Sequence, residues 1–267
     1  AYKVVHFDQS GKEVYSSNGA SHDDITVVLH EDDSTTTFSQ HYSKRKSNPL
    51  YVTKADGGYG NQSRETYSFG EYELYHSSVV LRDGSVRLVG EIEDDLAVVG
   101  FKPDGTPDSS FGRDGVAVVP VLSANDAGYR AKVAPDGKLV IVGRADNGVN
   151  KDFVIVRLNK DGSIDESFGN SGKFVTNWGG DDQAYAVEIL PDGKILAAGK
   201  AGDSIGFVQL LGDSRVGVPV STVYLSETST VENGAPGSVI GSLKTDSATD
   251  NSETTYALVA GSGDIDN

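Results

Sequence analysis

The chain has 267 residues, with 39 acidic against 23 basic side chains and a net charge of -16. This balance argues against partners that require clustered Lys and Arg, namely the nucleic-acid backbone and anionic membranes. There is no Cys and no Met, which excludes disulfides and thiolate chemistry, and no apolar run of transmembrane length. We therefore expect a processed product or an excised piece of a larger protein, with no direct membrane insertion.

A repeat of about 50 residues organises most of the chain. Its first turn places an aspartate at Asp32, Asp83, Asp136 and Asp192, spaced by 51, 53 and 56 residues. A second turn series with the same period runs through Gly11, Gly57, Gly105 and Gly162. Two interleaved series of one period indicate a repeat architecture rather than chance.

Taken in chain order, YKVVHFD and KEVYSS are the last two strands of an incomplete repeat, and three whole repeats follow. A further one begins before IGFVQLL at Ile205. Each whole repeat contains four short strands, and HSSVVLR, YRAKVAP and AYAVEIL are the most continuously apolar, so we expect them innermost. Four antiparallel strands per repeat predict an all-β fold of β-propeller blades. The alternatives are a β-solenoid, whose coils are usually shorter, and tandem sandwiches, which need about seven strands each.

The Asp-Gly pairs of the turns have a structural explanation. Asp-Gly is a favoured pair for type I′ hairpins, so we predict such turns at Asp83, Asp104, Asp136, Asp161 and Asp192. Phe111 and Phe168 recur in identical Ser-Phe-Gly contexts, which predicts equivalent pockets between blades.

The pattern DFVIVRLNKDGSIDESFG from Asp152, followed by GGDDQAYAVEILPDGKILAAG from Gly179, resembles the delta-60 repeat of large secreted bacterial proteins. Residues 95–200 match it well and residues 1–94 match it poorly. The resemblance implies a propeller domain over residues 1–211, incomplete upstream and with its first two repeats diverged.

Residues 212–267 have a different composition, rich in Gly, Ser, Thr and acidic residues. The string VENGAPGSVIGSL and the later TTYALV resemble the opening of a cadherin-like domain, a β-sandwich, which is cut here at Asn267. That resemblance implies a calcium site with Glu232 as a ligand. Acidic residues in the loops beyond it complete the candidate metal set: Asp246, Asp250, Asp264 and Asp266.

Other chemistry-bearing patterns are sparse. No nucleophile elbow, phosphate loop or HExxH sequence occurs, so we predict no catalytic residues. The acid pairs Asp94-Asp95 and Asp181-Asp182 are further candidates for calcium, although solvated turns explain such pairs as well. Trp178, Asp181 and Asp182 also form a possible ligand loop, in which an aromatic ring lies beside carboxylates.

The sequence therefore predicts a non-enzymatic segment of an extracellular, surface-attached bacterial protein or adhesin. The propeller would serve recognition or assembly, and the cadherin-like part would form a stalk stiffened by calcium. Its partners would be other chains of a surface assembly or cell-surface glycans. The alternative is a propeller enzyme, a hydrolase or lyase acting on extracellular polysaccharide. The inner strands offer few convergent polar groups, which disfavours this alternative.

Overall fold

The computed structural model describes residues 2–7, 13–19, 23–30, 32, 34–40, 48–56, 62–122, 124–210, 221–225, 239–245 and 254–257. Only the backbone is described before residue 26, at residue 124 and after residue 210. The regular elements of this part of the chain are all β-strands, paired antiparallel. None of the described residues belongs to a helix long and apolar enough to span a lipid bilayer.

A two-stranded sheet comes first, and four blades follow it in chain order. The two-stranded sheet consists of β1 (Tyr2–Phe7) and β2 (Glu13–Gly19). The first blade consists of β3 (Asp23–Leu29), β4 (Thr35–Gln40), β5 (Leu50–Ala55) and β6 (Gln62–Tyr67). The second blade consists of β7 (Glu73–Val80), β8 (Val86–Ile92), β9 (Asp95–Phe101) and β10 (Val116–Val119).

The third blade consists of β11 (Ala124–Val133), β12 (Leu139–Asp146), β13 (Lys151–Leu158) and β14 (Lys173–Thr176). The fourth blade consists of β15 (Gln183–Ile189), β16 (Ile195–Ala201), β17 (Ser204–Leu210) and β18 (Ser221–Leu225). Its sheet continues through β19 (Val239–Thr245) and β20 (Thr254–Ala257). β18, β19 and β20 fall within the range that the sequence assigns to a second domain.

The predicted all-β propeller architecture is confirmed. Within each blade, sequential strands pair with their neighbours, and the first strands of adjacent blades, β3, β7, β11 and β15, contact one another. These first strands are therefore innermost, as predicted, and correspond to the strands that line the centre of a propeller. Over the part of the chain that the structure describes, the sheets do not close into a ring.

The inner strands are less uniformly buried than their apolar sequences suggest. Val187 is buried and Val133 is half-buried, but Val80 is 45% exposed. Val80 is the last residue of β7, next to the hairpin turn, whereas Val187 lies in the body of β15. The expectation that all three valines are buried is wrong for Val80, because a strand end beside a turn is open to solvent.

Three apolar cores lie between successive blades and hold them face to face. The first joins Phe38 and Val52 to Phe101, the second contains Phe111, and the third contains Phe168. Both of these phenylalanines are almost fully buried in equivalent positions. The predicted pockets are confirmed.

The Asp-Gly turns are not of the predicted type I′. That type requires positive φ at both central residues, but in these turns only the glycine has positive φ, between 76° and 84°. In the β7–β8 hairpin, Gly84 N donates to Leu81 O and Leu81 N donates to Ser85 O. This pattern is a type I turn followed by a glycine bulge. The type I′ conformation occurs instead at Glu93 and Asp94, both with positive φ, between β8 and β9.

The aspartates of these turns have a structural role, as predicted. The Asp83 carboxylate accepts a hydrogen bond from Ser85 N at 3.0 Å, which closes the turn locally. The same bond to the residue two positions on is made by Asp104, Asp136, Asp161 and Asp192.

Candidate functional site

One end of the inner strands is fixed by a buried carboxylate in each of three blades. These anchor carboxylates are Glu73, Asp126 and Asp182, at equivalent positions and each 0% exposed. Asp182 accepts hydrogen bonds from Trp178 N at 2.7 Å and Gly202 N at 2.6 Å. Its own amide donates to Lys151 O of the preceding blade at 2.7 Å. The anchor therefore ties a loop, a hairpin and two blades together.

The predicted ligand loop has structural contacts at all three of its residues. Both oxygens of Asp182 accept backbone N–H groups, and Asp181 accepts the amide of Lys151 at 3.1 Å. The Trp178 ring packs edge-on against Phe153, with centroids 5.3 Å apart. These contacts hold the third and fourth blades together. Ligand binding by this loop stays a prediction.

The predicted calcium ligands Glu232, Asp246, Asp250, Asp264 and Asp266 lie outside the described residues. Of the other acidic pairs, Asp94 is a turn residue whose carbonyl accepts Asp126 N at 2.8 Å. The described side chains contain no group of three or more His, Cys, Asp or Glu placed to hold a metal ion. The calcium site of residues 212–267 stays a prediction.

A row of aromatic rings crosses three adjacent inner strands at the same end as the anchors. Each inner strand carries a bulge at the same place, and the extra residues there are His76, Tyr129 and Tyr185. The His76 and Tyr129 ring centroids are 5.0 Å apart at 76°, and those of Tyr129 and Tyr185 are 5.4 Å apart at 20°. A bulge re-aims a side chain out of the regular pleat. We call these three residues the aromatic row.

A row of charged residues lies next to the aromatic row, on the second strands of the second, third and fourth blades. Glu91, Arg144 and Lys200 face Leu74, Ala127 and Gln183 across the strand pairs. Arg144 forms an ion pair with Glu91 at 3.6 Å and its guanidinium lies 6.0 Å from the Tyr129 ring centroid. We call Glu91, Arg144 and Lys200 the charged row.

Hydrogen bonds from neighbouring residues hold each row in place. Gln183 Oε1 accepts from the Tyr185 hydroxyl at 2.8 Å and from the Tyr129 hydroxyl at 3.3 Å. The Tyr72 hydroxyl donates to Glu91 at 3.3 Å. Arg130, next to Tyr129, donates to the His76 carbonyl at 3.1 Å and so links the second and third blades.

The electrostatics of the two rows follow from burial and from the two arginines. Burial, with the charges of Arg144 and Arg130, lowers the pKa of His76 to about 4, so the ring is neutral at pH 7. Burial also raises the pKa of Glu91, although Arg144 opposes the shift. Burial raises the pKa of Tyr129 to about 12, which keeps its hydroxyl protonated. The rows therefore combine neutral aromatic faces, hydroxyl donors, one carboxyl group and cations.

The expectation that the inner strands offer few convergent polar groups is wrong. The polar groups come from the bulge positions and from the second strands, neither of which an alternation pattern identifies as facing one place. One sequence feature could have indicated the row. His76, Tyr129 and Tyr185 occupy one position of the repeat, immediately before the apolar inner-strand residues.

Comparison with known proteins supports the propeller. A family described as "Domain of unknown function (DUF5122) beta-propeller" matches residues 134–168, which lie within the region that resembles the delta-60 repeat. No curated protein matches the chain. A similar solved structure is that of an endo-arabinase from Bacteroides thetaiotaomicron, at 13% identity and a TM-score of 0.42. The alignment covers 92% of this chain and 96% of that one.

The prediction that the chain is not an enzyme is withdrawn: the similar structure is that of a protein described as an endo-arabinase, and the likeness to it shows the fold alone. The absence of catalytic sequence motifs was a weak basis for the prediction, because a fold hosts many chemistries and motifs do not report spatial proximity. At this level of similarity the likeness assigns no substrate and no site residue to this chain.

Proposed function

We propose that the chain is part of a propeller enzyme that acts on extracellular polysaccharide, with its site at the aromatic and charged rows. The observation that carries this proposal is the aromatic row, three rings on equivalent bulges of three adjacent blades. Tyr129 and Tyr185 stack on each other, so a sugar ring would meet the outer face of Tyr185 at the end of the row, and nearby polar groups would fix its orientation. Tyr185 is 49% exposed, which leaves its ring accessible.

Glu91 is the candidate general acid of this site. Cleavage of a glycosidic bond needs a carboxyl group that remains protonated long enough to donate to the leaving oxygen. Burial raises the pKa of Glu91 and outweighs the charge of Arg144 and the hydrogen bond from Tyr72, which both lower it. Glu91 lies at the base of the aromatic row, held by Tyr72 and Arg144.

The test is an activity assay on a panel of neutral and acidic polysaccharides, including arabinan and polygalacturonate. New reducing ends report hydrolysis, and ultraviolet absorbance of an unsaturated product reports a lyase. We expect Glu91→Gln to lower the rate by about 100-fold or more, the usual contribution of a general acid. Glu166→Gln, at an exposed glutamate in the outer turn of the third blade, is the matched control and should keep the wild-type rate. The absence of cleavage and of binding across the panel would reject the proposed function.

Secretion and the calcium-bound, cadherin-like stalk remain part of the proposal. They are supported by the resemblance of residues 212–267 and by their acidic loops. Recovery of the protein in the medium of the source bacterium would support secretion, and recovery only inside the cell would count against it.

A further inference from the structure

One face of the fourth blade lacks the cover that the same face has in the second and third blades. In β9 the residues of this face include Leu96 and Val98, which are 0% exposed in the core shared with the third blade. In β13 the equivalent residues are Phe153 and Ile155, which are also 0% exposed, in the core shared with the fourth blade. The side of a blade that is turned toward the next blade is thus an apolar surface with a partner.

The fourth blade carries the same apolar surface without such a partner. The strand pairs identify the equivalent residues of β17 as Ile205 and Phe207. Ile205 is 50% exposed, and Phe207 is half-buried. On the neighbouring strand β16, Leu196 and Ala198 of the same side are also half-buried. We call these four residues the open face. Tyr185 is not part of it, because its bulge turns the side chain out of the regular pleat.

The other side of the fourth blade is fully covered. Ile195, Ala197 and Val208 lie in the core shared with the third blade and are at most 1% exposed. The exposure of the open face is therefore not the result of a loosely packed blade. Because apolar side chains are stabilised by removal from water, a surface that covers the open face would be held there.

The strands that carry the open face add no carboxylate to it. The other residues of β16 and β17 on this side of the sheet include Lys200 and Gln209, which pair with Ile205 and Leu196. The chain as a whole has a net charge of -16, so two copies repel each other at long range. At the open face they can come into contact without bringing carboxylates of these strands together.

We propose that the open face binds the open face of a second copy of this chain, in a two-fold symmetric dimer. The reverse side of the first blade does not match it, since Thr35, Thr37 and Ser39 there are polar and already buried. The reverse sides of the later blades are covered by the blade before them. Among the described side chains, the open face therefore finds an uncovered apolar match only in itself, which is the condition for an isologous contact. This inference goes beyond the proposed function and does not depend on it.

The sheet is large enough for such a contact. Its six strands, β15 to β20, are spaced by ~4.8 Å and are mostly about 23 Å long, which gives a face of roughly 600 Å². Two of these faces in contact bury roughly 1,200 Å², above the ~1,000 Å² that a specific interface generally needs.

Sedimentation equilibrium of the full chain tests the proposal. We expect a dimer at about 100 µM chain, and we expect Ile205→Lys to raise its Kd by about 100-fold or more, because the two-fold axis buries the new charge twice. Ile205→Ser is a milder second variant and should raise the Kd by about tenfold. Val118→Lys is the matched control, at a 47% exposed valine of the outer strand β10, and should dimerise as the wild type does. Near-ultraviolet circular dichroism confirms that each variant is folded.

Salt distinguishes an apolar contact from a charged one. Raising the sodium chloride concentration from about 50 mM to about 500 mM screens the repulsion between two acidic chains, so the dimer should persist or strengthen. Dissociation at high salt, or a dimer that both Ile205 variants leave intact, would overturn the assignment to the open face. A chain that stays monomeric at about 100 µM would overturn the proposal and leave this face to a further blade or to another partner. Polysaccharide cleavage is measured separately, so the proposed function stands or fails on its own assay.

Discussion

Asp181 and Asp182 are neighbours in the chain but contribute differently to the stability of the fold. Asp182 is fully buried and accepts two backbone N–H groups, whereas Asp181 is exposed and accepts one at 3.1 Å. Removing a buried acceptor leaves its donors unsatisfied, at about 1–3 kcal/mol per group. We expect Asp182→Ala to lower the free energy of unfolding by about 3 kcal/mol and Asp181→Ala by less than about 1 kcal/mol. Denaturant unfolding measures both, and equal losses would contradict the anchor role.

His76 makes stability depend on pH. Burial and the two arginines lower its folded pKa to about 4, below the ordinary histidine value of 6.5. Between these values the unfolded chain binds a proton that the folded chain does not, so stability falls as pH falls through this window. The shift corresponds to about 3 kcal/mol at most.

We therefore expect His76→Gln to lose less stability than the wild type between pH 7 and pH 4. The difference between the two slopes is the measurement, because it removes any constant cost of the lost contact with Tyr129. Between pH 7 and pH 9 the histidine is neutral in both states, so the two proteins should show the same slope there. Parallel stability curves over the acidic window would show that His76 does not carry this dependence.

At the scale of the element, the outer turns of the second and third blades each pack on the blade before them. A Cβ at Gly162 would lie 2.7 Å from Gly112 N and 3.0 Å from the Phe111 ring, whereas nothing lies within 4 Å of one at Gly193. Both glycines have nearly the same positive φ, 84° and 82°. Alanine variants at these two glycines therefore separate the free-energy cost of a positive φ from the cost of crowding the neighbouring blade.

We expect Gly193→Ala to cost about 1 kcal/mol from positive φ alone, and Gly162→Ala to cost a further 1–3 kcal/mol from overpacking. Chemical denaturation of the two variants tests this. The same loss in both would mean that the second and third blades do not depend on this contact.

The repeat predicts the strands and blades well because each blade encodes its own hairpins. The innermost position of β7, β11 and β15 followed from their continuous apolar residues, and the pockets of Phe111 and Phe168 followed from recurrence. The turn type did not follow, because Asp-Gly fits both a type I′ turn and a type I turn with a glycine bulge. The difference depends on one φ angle that residue identity leaves open.

The calcium site of residues 212–267 is a proposal, since its ligands lie outside the described residues. If this segment binds calcium when folded, millimolar calcium should raise its thermal midpoint. The stabilisation follows RT ln(1 + [L]/Kd), about 2.7 kcal/mol at a hundredfold excess over Kd and less for a weak extracellular site. Thermal unfolding of the full chain with calcium and with chelator is the measurement. An unchanged midpoint, together with no heat of calcium binding, would exclude calcium.

At the scale of the whole molecule, the candidate site exists only because blades stand side by side. His76, Tyr129 and Tyr185 are about 50 residues apart in sequence, and each comes from a different blade. The repeat shows that these three residues are equivalent, but it does not show that their rings touch. That contact depends on the angle between blades, which is set by the cores between them. The charged row was harder still to foresee, because Glu91, Arg144 and Lys200 differ in chemistry at one repeat position.

The central claim is that the aromatic row binds polysaccharide, and titration calorimetry on the full chain tests it most directly. Arabinan and polygalacturonate are titrated into the wild type, the double variant Tyr129→Ala/Tyr185→Ala and the control Tyr51→Ala in the first blade. We predict that the wild type binds at least one polymer, that the double variant binds it about tenfold or more weakly, and that Tyr51→Ala matches the wild type. Undiminished affinity in a folded double variant, or no binding of either polymer by the wild type, would contradict the claim.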